Sequence, residues 1–270
     1  MYKAACDTHT HTLYSRHAYS TISENVAAAK AAGLELLGST DHFSDMVYGS
    51  YDIHDYQYFA NQGCWPRVWD GVTVLRGAEV DILDTSGRLF GQGVPVHTTI
   101  VGTRYAADRD LFCRVTDPLD YVIASVHNAE FMVERPIAET TGMYIRALEN
   151  PKVLVLGHTG RAGVPFDLDE VLTCAREKHK LIEINEHSLS DRGESIATCR
   201  RIAERCAELG VSITLSSDAH LALRIGRFDC SQAMLEQIHF PQELIASRDR
   251  VSFLTAMKEA HVSDVADSLL

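Results

Sequence analysis

ACDTHTH (5–11) opens on apolar residues and closes on two histidines separated by one position. Side chains at i and i+2 of an extended backbone project to the same side, so His9 and His11 are set to face one point. Five more runs repeat the plan. LLGSTDH (36–42), VLRGAE (74–79), VIASVH (122–127), VLVLGH (153–158) and ITLSSDAH (213–220) each start apolar, often β-branched, and finish in His, Asp or Glu. A seventh, LIEIN (181–185), finishes in Asn185. The series reads as parallel strands that aim polar side chains from their C-terminal ends at one place, the end where strand–helix barrels keep their chemistry.

Helical patterns fill the gaps. Ser20-Thr21-Ile22-Ser23-Glu24 carries a helix-start signature, and Gly33 stops that helix before the second run. A helix around 137–149 ends before Asn150-Pro151, DLDEVLTCAREKH (167–179) precedes LIEIN, and ESIATCRRIAERCAELG (194–210) stops at Gly210; 231–259 reads as closing helices. Strands alternating with helices over short links predict an α/β fold with a parallel sheet. No linker or repeat divides the chain, so 1–270 is expected to form a single domain. Two segments break the rhythm: 43–71 reads as a long loop with a short helix, and 84–118 carries Gly87, Gly91, Gly93 and Pro95. Insertions after barrel strands are expected to shape the substrate mouth.

The bulk properties narrow the function. A chain of 270 residues with 46% hydrophobic and 23% charged residues has ample core material. Its net charge of −12 and lack of a basic tract argue against long nucleic acid as a partner, although bound cations can still draw a small anion. No stretch is apolar enough to span a membrane and no signal segment precedes the first strand, so the expected location is cytoplasmic. The seven cysteines lie far apart without a CxxC pair and are expected to be reduced and mostly buried.

Within the constellation, Asp218 and His220 are expected to repeat the i, i+2 geometry of His9 and His11. Glu79, alone among apolar neighbours, can bridge two ions with its two oxygens. His42, His127 and His158 complete the rim, and His17 lies in the loop past the first strand. Mixed imidazole and carboxylate donors suit Zn, Mn or Fe, whereas Mg and Ca prefer oxygen shells. So many ionisable groups buried together without a cation would be heavily penalised. His54, His97, His179, His239 and His261 lie outside this pattern and read as solvated side chains. Asp41 is expected to hold a ligand imidazole or cap the next segment, and His187 is a candidate for substrate contact.

These motifs resemble the PHP family, named for polymerase and histidinol phosphatase, and within it the stand-alone YcdX-like phosphatase branch. The resemblance rests on DTHTHT (7–12), HAYST (17–21), STDH (39–42), WPRVWDGVTVLRGAE (65–79), VIASVHN (122–128), VLGHTG (155–160), LIEIN (181–185), SSDAH (216–220) and FPQELI (240–245). It implies a distorted (β/α)7 TIM-like barrel with three divalent metal ions at its C-terminal face. By that resemblance His9, His11, Glu79 and Asp218 hold one ion, Glu79 with His127 and His158 a second, and His17, His42 and His220 the third.

The expected activity is hydrolysis of a small-molecule phosphate monoester by attack of a metal-bound hydroxide, with Glu79 and Asp218 as the catalytic carboxylates. Arg161, His187 and Arg224, with Arg227 beside them, are the candidates for gripping substrate. An amidohydrolase-type metallohydrolase and a phosphoesterase acting on nucleotides or oligonucleotide ends are the enzymatic alternatives. A non-catalytic metal-binding module is the third, and a homo-oligomer remains open.

Overall fold

A computed structural model describes residues 2–190 and 193–270. Seven parallel strands run in sequence order around a nearly closed barrel: β1 (Cys6–Thr10), β2 (Leu36–Ser39), β3 (Val72–Asp81), β4 (Tyr121–Ser125), β5 (Val153–Leu156), β6 (Leu181–Asn185) and β7 (Ile213–Ser216). The ring closes between its first and last members. Just beyond β7, Ala219 forms a parallel bridge with Thr10; the His11 amide donates to Ala219 O at 2.9 Å and the Asp218 amide to His9 O at 3.0 Å. All seven apolar runs are therefore strands, in the order and direction the sequence implies.

The strands bury both faces, as parallel strands under a helical sheath must. Val74, Ala78 and Val80 of β3, with Ile182 and Ile184 of β6, belong to the outer core shared with the helices. Leu75 of β3 and Leu181 of β6 belong to a second apolar cluster. Continuing from those two in steps of two, the alternation reaches Glu79 and Asp81 on β3, and Glu183 and Asn185 on β6.

That second cluster is the barrel floor. Cys6, Leu36, Leu75, Tyr121 and Leu181 pack there against Phe253, Leu254 and Met257 of a C-terminal helix. The Tyr121 hydroxyl reaches up from this floor and donates to Thr8 O at 2.6 Å. Gly38 makes the room: a Cβ there would lie 2.0 Å from the Tyr121 Oη.

Helices α1 (Ile22–Ala31), α2 (Leu111–Thr116), α3 (Ile137–Glu149), α4 (Leu168–Glu177), α5 (Gly193–Leu209), α6 (Asp229–Gln237) and α7 (Arg250–Glu259) surround or close the barrel. The helix-start signature is a full capping box, in which Thr21 Oγ1 accepts from the Glu24 amide and Glu24 accepts from the Thr21 amide at 2.7 Å; such a cap contributes about 1 kcal/mol. Gly33 follows at φ +74°. Among the described residues no helix is long and apolar enough to cross a membrane.

Three expectations need correction. Segment 84–118 does not line the substrate mouth: it forms a hairpin (Pro95–Thr98 with Arg104–Asp110) and α2, and buries Phe90, Leu111 and Phe112 in the outer core. Its apolar content explains this, because those side chains are covered only by packing against the sheath. Segment 43–71 is likewise more ordered than a loop, with short helices and a Val68–Trp69 strand antiparallel to β3. Of the seven cysteines three are buried, while Cys64 and Cys230 are exposed.

Candidate metal centre

All nine candidate ligands gather at the C-terminal end of the barrel. Of the seven barrel strands, only β1 and β3 carry a candidate ligand, His9 and Glu79. His11 follows β1 directly, His42 starts a two-residue strand against β3, and His127, His158, Asp218 and His220 lie past the ends of their strands. The expected extended pairing of Asp218 and His220 is not observed. β7 ends at Ser216 and Asp218 adopts φ +53°, a left-handed turn that brings its carboxylate back towards β1. His158 also has positive φ, +25°. Such backbones cost about 1–3 kcal/mol each and persist where neighbours enforce them. The Asp218 amide is held by His9 O, and the His158 amide donates to Glu183 Oε2 at 2.6 Å.

Hydrogen bonds around the rings fix which imidazole nitrogens carry lone pairs. His9 Nδ1 faces the Glu183 carboxylate at 2.7 Å, and a carboxylate only accepts, so Nδ1 carries an N–H and in the neutral ring Nε2 is the bare nitrogen. Ser15 spends its one hydroxyl proton on Asp41 Oδ1 at 2.7 Å, so it accepts from His11 Nδ1 at 3.1 Å and leaves His11 Nε2 bare. His127 Nδ1 donates to Asp81 at 2.6 Å and His220 Nδ1 to the Asp218 carbonyl at 2.9 Å. As neutral imidazoles, the form that binds a cation, these four rings present unprotonated Nε2 atoms.

Those lone pairs point at other acceptors. His9 Nε2 lies 3.1 Å from His11 Nε2 and 3.2 Å from Glu79 Oε2; His11 Nε2 lies 3.1 Å from Asp218 Oδ1. Glu79 Oε2 is also 2.9 Å from His42 Nδ1, while its other oxygen faces His127 Nε2 at 3.2 Å and His158 Nε2 at 2.7 Å. The two oxygens of one buried carboxylate therefore address two different sets of imidazoles. His17 Nε2 stands 3.2 Å from His42 Nε2. Potential donor atoms fall into three tight groups: His9–His11–Asp218, His42–Glu79–His127 and His11–His42–His220. This grouping differs from the partition implied by resemblance, because His42 joins the Glu79 set as well as the His220 set.

Electrostatics reflect the crowding. Burial pushes the Glu79 carboxyl up, yet His9, His127 and His42 overcome it and hold its pKa well below the usual carboxylate range. Burial pushes His9 down, but Glu79, Glu183 and Asp218 raise it well above ordinary histidine. His11, equally buried and ringed by His42 and His220, is lowered well below it.

Several groups around the ligands escaped the sequence reading. Glu183 orients His9, accepts from Ser216 Oγ at 2.5 Å and fixes the His158 amide. Its signal was an acid inside LIEIN, two residues before Asn185 and so on the same face. Asp81 holds His127 and stands in the same relation to Glu79. Asp41 does not touch an imidazole: it accepts from the Thr12 amide, Thr12 Oγ1, Ser15 Oγ and Tyr58 Oη, and reaches His11 only through Ser15. Asp7, fully buried, accepts from the Ser217 and Gly226 amides and so staples both ends of the loop after β7 to β1. Burial drives its pKa up to about 6.

The cluster opens into a cavity of about 820 Å³ lined by His17, His42, His127, His158, Asp218 and His220, and also by Arg161, His187, Arg224 and Arg227. Arg161 Nη2 donates to Asp218 Oδ2 at 3.1 Å, beside the donor cluster. The His187 ring centroid lies 6.5 Å from that of His220. His54 and His97 are exposed and pair with Asp52 and Asp108, and His179 is exposed near Glu259, all away from the cavity.

Fold and site together define a strand–helix barrel with a buried imidazole–carboxylate cluster at its C-terminal mouth. Residues 7–187 match the family described as PHP domain. The chain is 37% identical over 257 residues to a probable phosphatase of Clostridium acetobutylicum, covering 95% of each, and 38% identical over 240 residues to a probable phosphatase of Caldanaerobacter subterraneus, covering 88% of this chain and 85% of the relative. The chain belongs to the PHP domain family. Its fold is similar to the crystal structure of histidinol phosphate phosphatase from Lactococcus lactis, complexed with zinc, L-histidinol and phosphate; the TM-score is 0.56 at 21% identity, covering 88% of this chain and 95% of that one.

Proposed function

We propose that this phosphatase hydrolyses a small-molecule phosphate monoester with the help of three divalent ions, Zn, Mn or Fe, seated on His9, His11, His17, His42, Glu79, His127, His158, Asp218 and His220. The carrying observation is the convergence of lone pairs: bare Nε2 atoms of His9 and His11 face each other and the oxygens of Glu79 and Asp218, a contact set that only protons or cations make favourable. Two further buried atoms, His42 Nδ1 and Glu79 Oε2, lie 2.9 Å apart yet make no hydrogen bond among the described residues, as expected of atoms reserved for coordination. The donor chemistry fits borderline transition metals, and the Lactococcus lactis enzyme of similar fold carries zinc.

When bound, the ions supply positive charge for the phosphate oxygens and a water acidified enough to attack near neutral pH. The chain's own contribution is position. Glu183, Asp81 and Ser15 lock the tautomers of His9, His127 and His11, and Glu79 offers one oxygen to each of two imidazole sets. Arg161, anchored on Asp218, is placed to pair with a phosphate oxygen beside the cluster. The amidohydrolase alternative needs a lysine at the heart of the barrel mouth. The buried Lys180 instead precedes β6, at the opposite end. The decisive experiment is phosphate release by metal-loaded protein from p-nitrophenyl phosphate and a panel of sugar, amino-alcohol and nucleotide phosphates; no release from any of them overturns the phosphomonoester reading.

A further inference from the structure

The segment after β7 builds one wall of the cavity and is rigid where its backbone is concerned. Asp7 grips the amides of Ser217 at 3.0 Å and Gly226 at 2.9 Å, Ser20 Oγ accepts from the Ala222 amide at 2.8 Å, and Ile225 is buried. On this fixed loop two guanidinium groups line the cavity. Arg224 is exposed and has neither an ion pair nor a side-chain hydrogen bond among the described residues, while Arg227 spends only Nε, on Leu223 O at 2.9 Å. Both planar ends are thus free in a chain where Asp and Glu number 37 against 25 Lys and Arg. Two further acids line the same wall: Glu186 is consumed, its oxygens accepting from the Cys230 and Ser231 amides at 2.8 Å and from Ser231 Oγ, and Asp229, exposed at the start of α6, makes no ion pair with either guanidinium among the described residues. A cavity of about 820 Å³ also far exceeds what one phosphate fills, so the leaving group extends along these walls.

We infer that the ester carries a second anionic group, a carboxylate or another phosphate, on its leaving-group side, and that Arg224 and Arg227 bind it. The inference rests on the phosphatase reading for the first anion, held at the donor cluster, and adds a charge requirement on the remainder of the molecule. Unpaired guanidinium forks on a held loop are suited to planar bidentate capture of carboxylate or phosphate, and they repel an ammonium. Esters of amino alcohols are accordingly poor substrates for this chain.

Two measurements separate the inference from the reading beneath it. The first compares binding of carboxyalkyl phosphonates, bisphosphonates and plain alkyl phosphonates of matched length to metal-loaded protein by calorimetry, which needs no turnover. The expected result is about tenfold tighter binding for one or both doubly anionic probes, lost in Arg224→Ala/Arg227→Ala, with the stronger probe identifying carboxylate or phosphate as the second group. Equal affinity for plain and doubly anionic probes overturns it. The second is the ratio of kcat/KM for a bis-anionic ester over phosphoethanolamine, whose leaving group is cationic; Arg224→Glu/Arg227→Glu should invert this ratio in favour of phosphoethanolamine. A ratio unchanged by charge reversal also overturns it. Protein that binds the doubly anionic probes tightly but releases phosphate from nothing refutes the phosphatase reading and leaves the anion site standing.

Discussion

The two ends of the barrel are built by the same seven strands and obey opposite rules. At the floor, Leu36, Leu75 and Leu181 meet Phe253 and Met257 and their side chains are held by packing alone. At the mouth, a few residues further along the same faces, His9, Glu79, Glu183 and Asn185 are just as buried but are held by directed contacts among charges and rings. Apolar packing accepts many substitutions of similar volume, whereas the mouth is specified atom by atom. The floor tells the strands where to stand so that the mouth can place oxygens and nitrogens about 3 Å apart.

The largest effect is expected at the point where the mouth depends on one side chain. Glu79→Ala should abolish turnover, by a factor of about a thousand or more, and lower metal content in elemental analysis at the same time, because its two oxygens serve two imidazole sets. Retention of all metal with loss of turnover would show that the carboxylate does not bridge. Gly38→Ala attacks the junction of the two ends: its Cβ meets the Tyr121 hydroxyl, and denaturant titration should show a loss of about 3 kcal/mol or more. Adding Tyr121→Phe removes the clashing oxygen and should recover part of that loss, and a double variant no more stable than Gly38→Ala alone would place the strain elsewhere.

Smaller effects probe the supports. Glu183→Gln keeps the shape but weakens the grip on His9 Nδ1, so metal affinity measured by competition with a chelator should fall about 10–100-fold. An unchanged affinity would demote Glu183 to a packing role. Chelating the ions should lower the melting temperature of the wild type more than that of Glu79→Ala, since the lone-pair contacts then go uncompensated.

The smallest effect lies below the barrel. Burial lowers the Lys180 pKa from 10.5 to about 8, so the unfolded chain binds more protons than the folded one between those values. Stability at this site is therefore penalised at neutral pH and recovers as pH rises from about 8 towards 10.5. Lys180→Met should be about 1 kcal/mol more stable than wild type at pH 7, with the advantage shrinking over that window. A constant advantage across it would mean that the charge is not what costs stability.

The barrel was legible because each strand ends in residues that have no business beside an apolar run unless something receives them. Strand order and direction followed from the regular return of that pattern. What escaped was whatever stood away from the residue at which each run was read. Glu183 lies two residues before Asn185 and Asp81 two residues past Glu79, so both are visible only once alternation is followed in either direction from the residue at which each run was read. The turn at Asp218 escaped because a left-handed non-glycine residue is imposed by tertiary contacts and leaves no local signature. Segment 84–118 misled through its glycines, which mark turns without saying which way the intervening Phe90 and Phe112 point. Asp41 misled through adjacency to His42, whereas its oxygens turn towards Thr12, Ser15 and Tyr58.

Ring closure has a temporal corollary. The seam joins His9 to Asp218 and Thr10 to Ala219, so the donors span more than two hundred positions of the polypeptide. During synthesis from the N-terminus, a cation that meets the growing chain before Asp218 has emerged finds seven of the nine candidate donors and no completed ring. On the proposed nine-donor centre, the full set of ions then waits for Asp218 and His220, and a ribosome stalled shortly before them would carry an almost whole barrel with its mouth still unset.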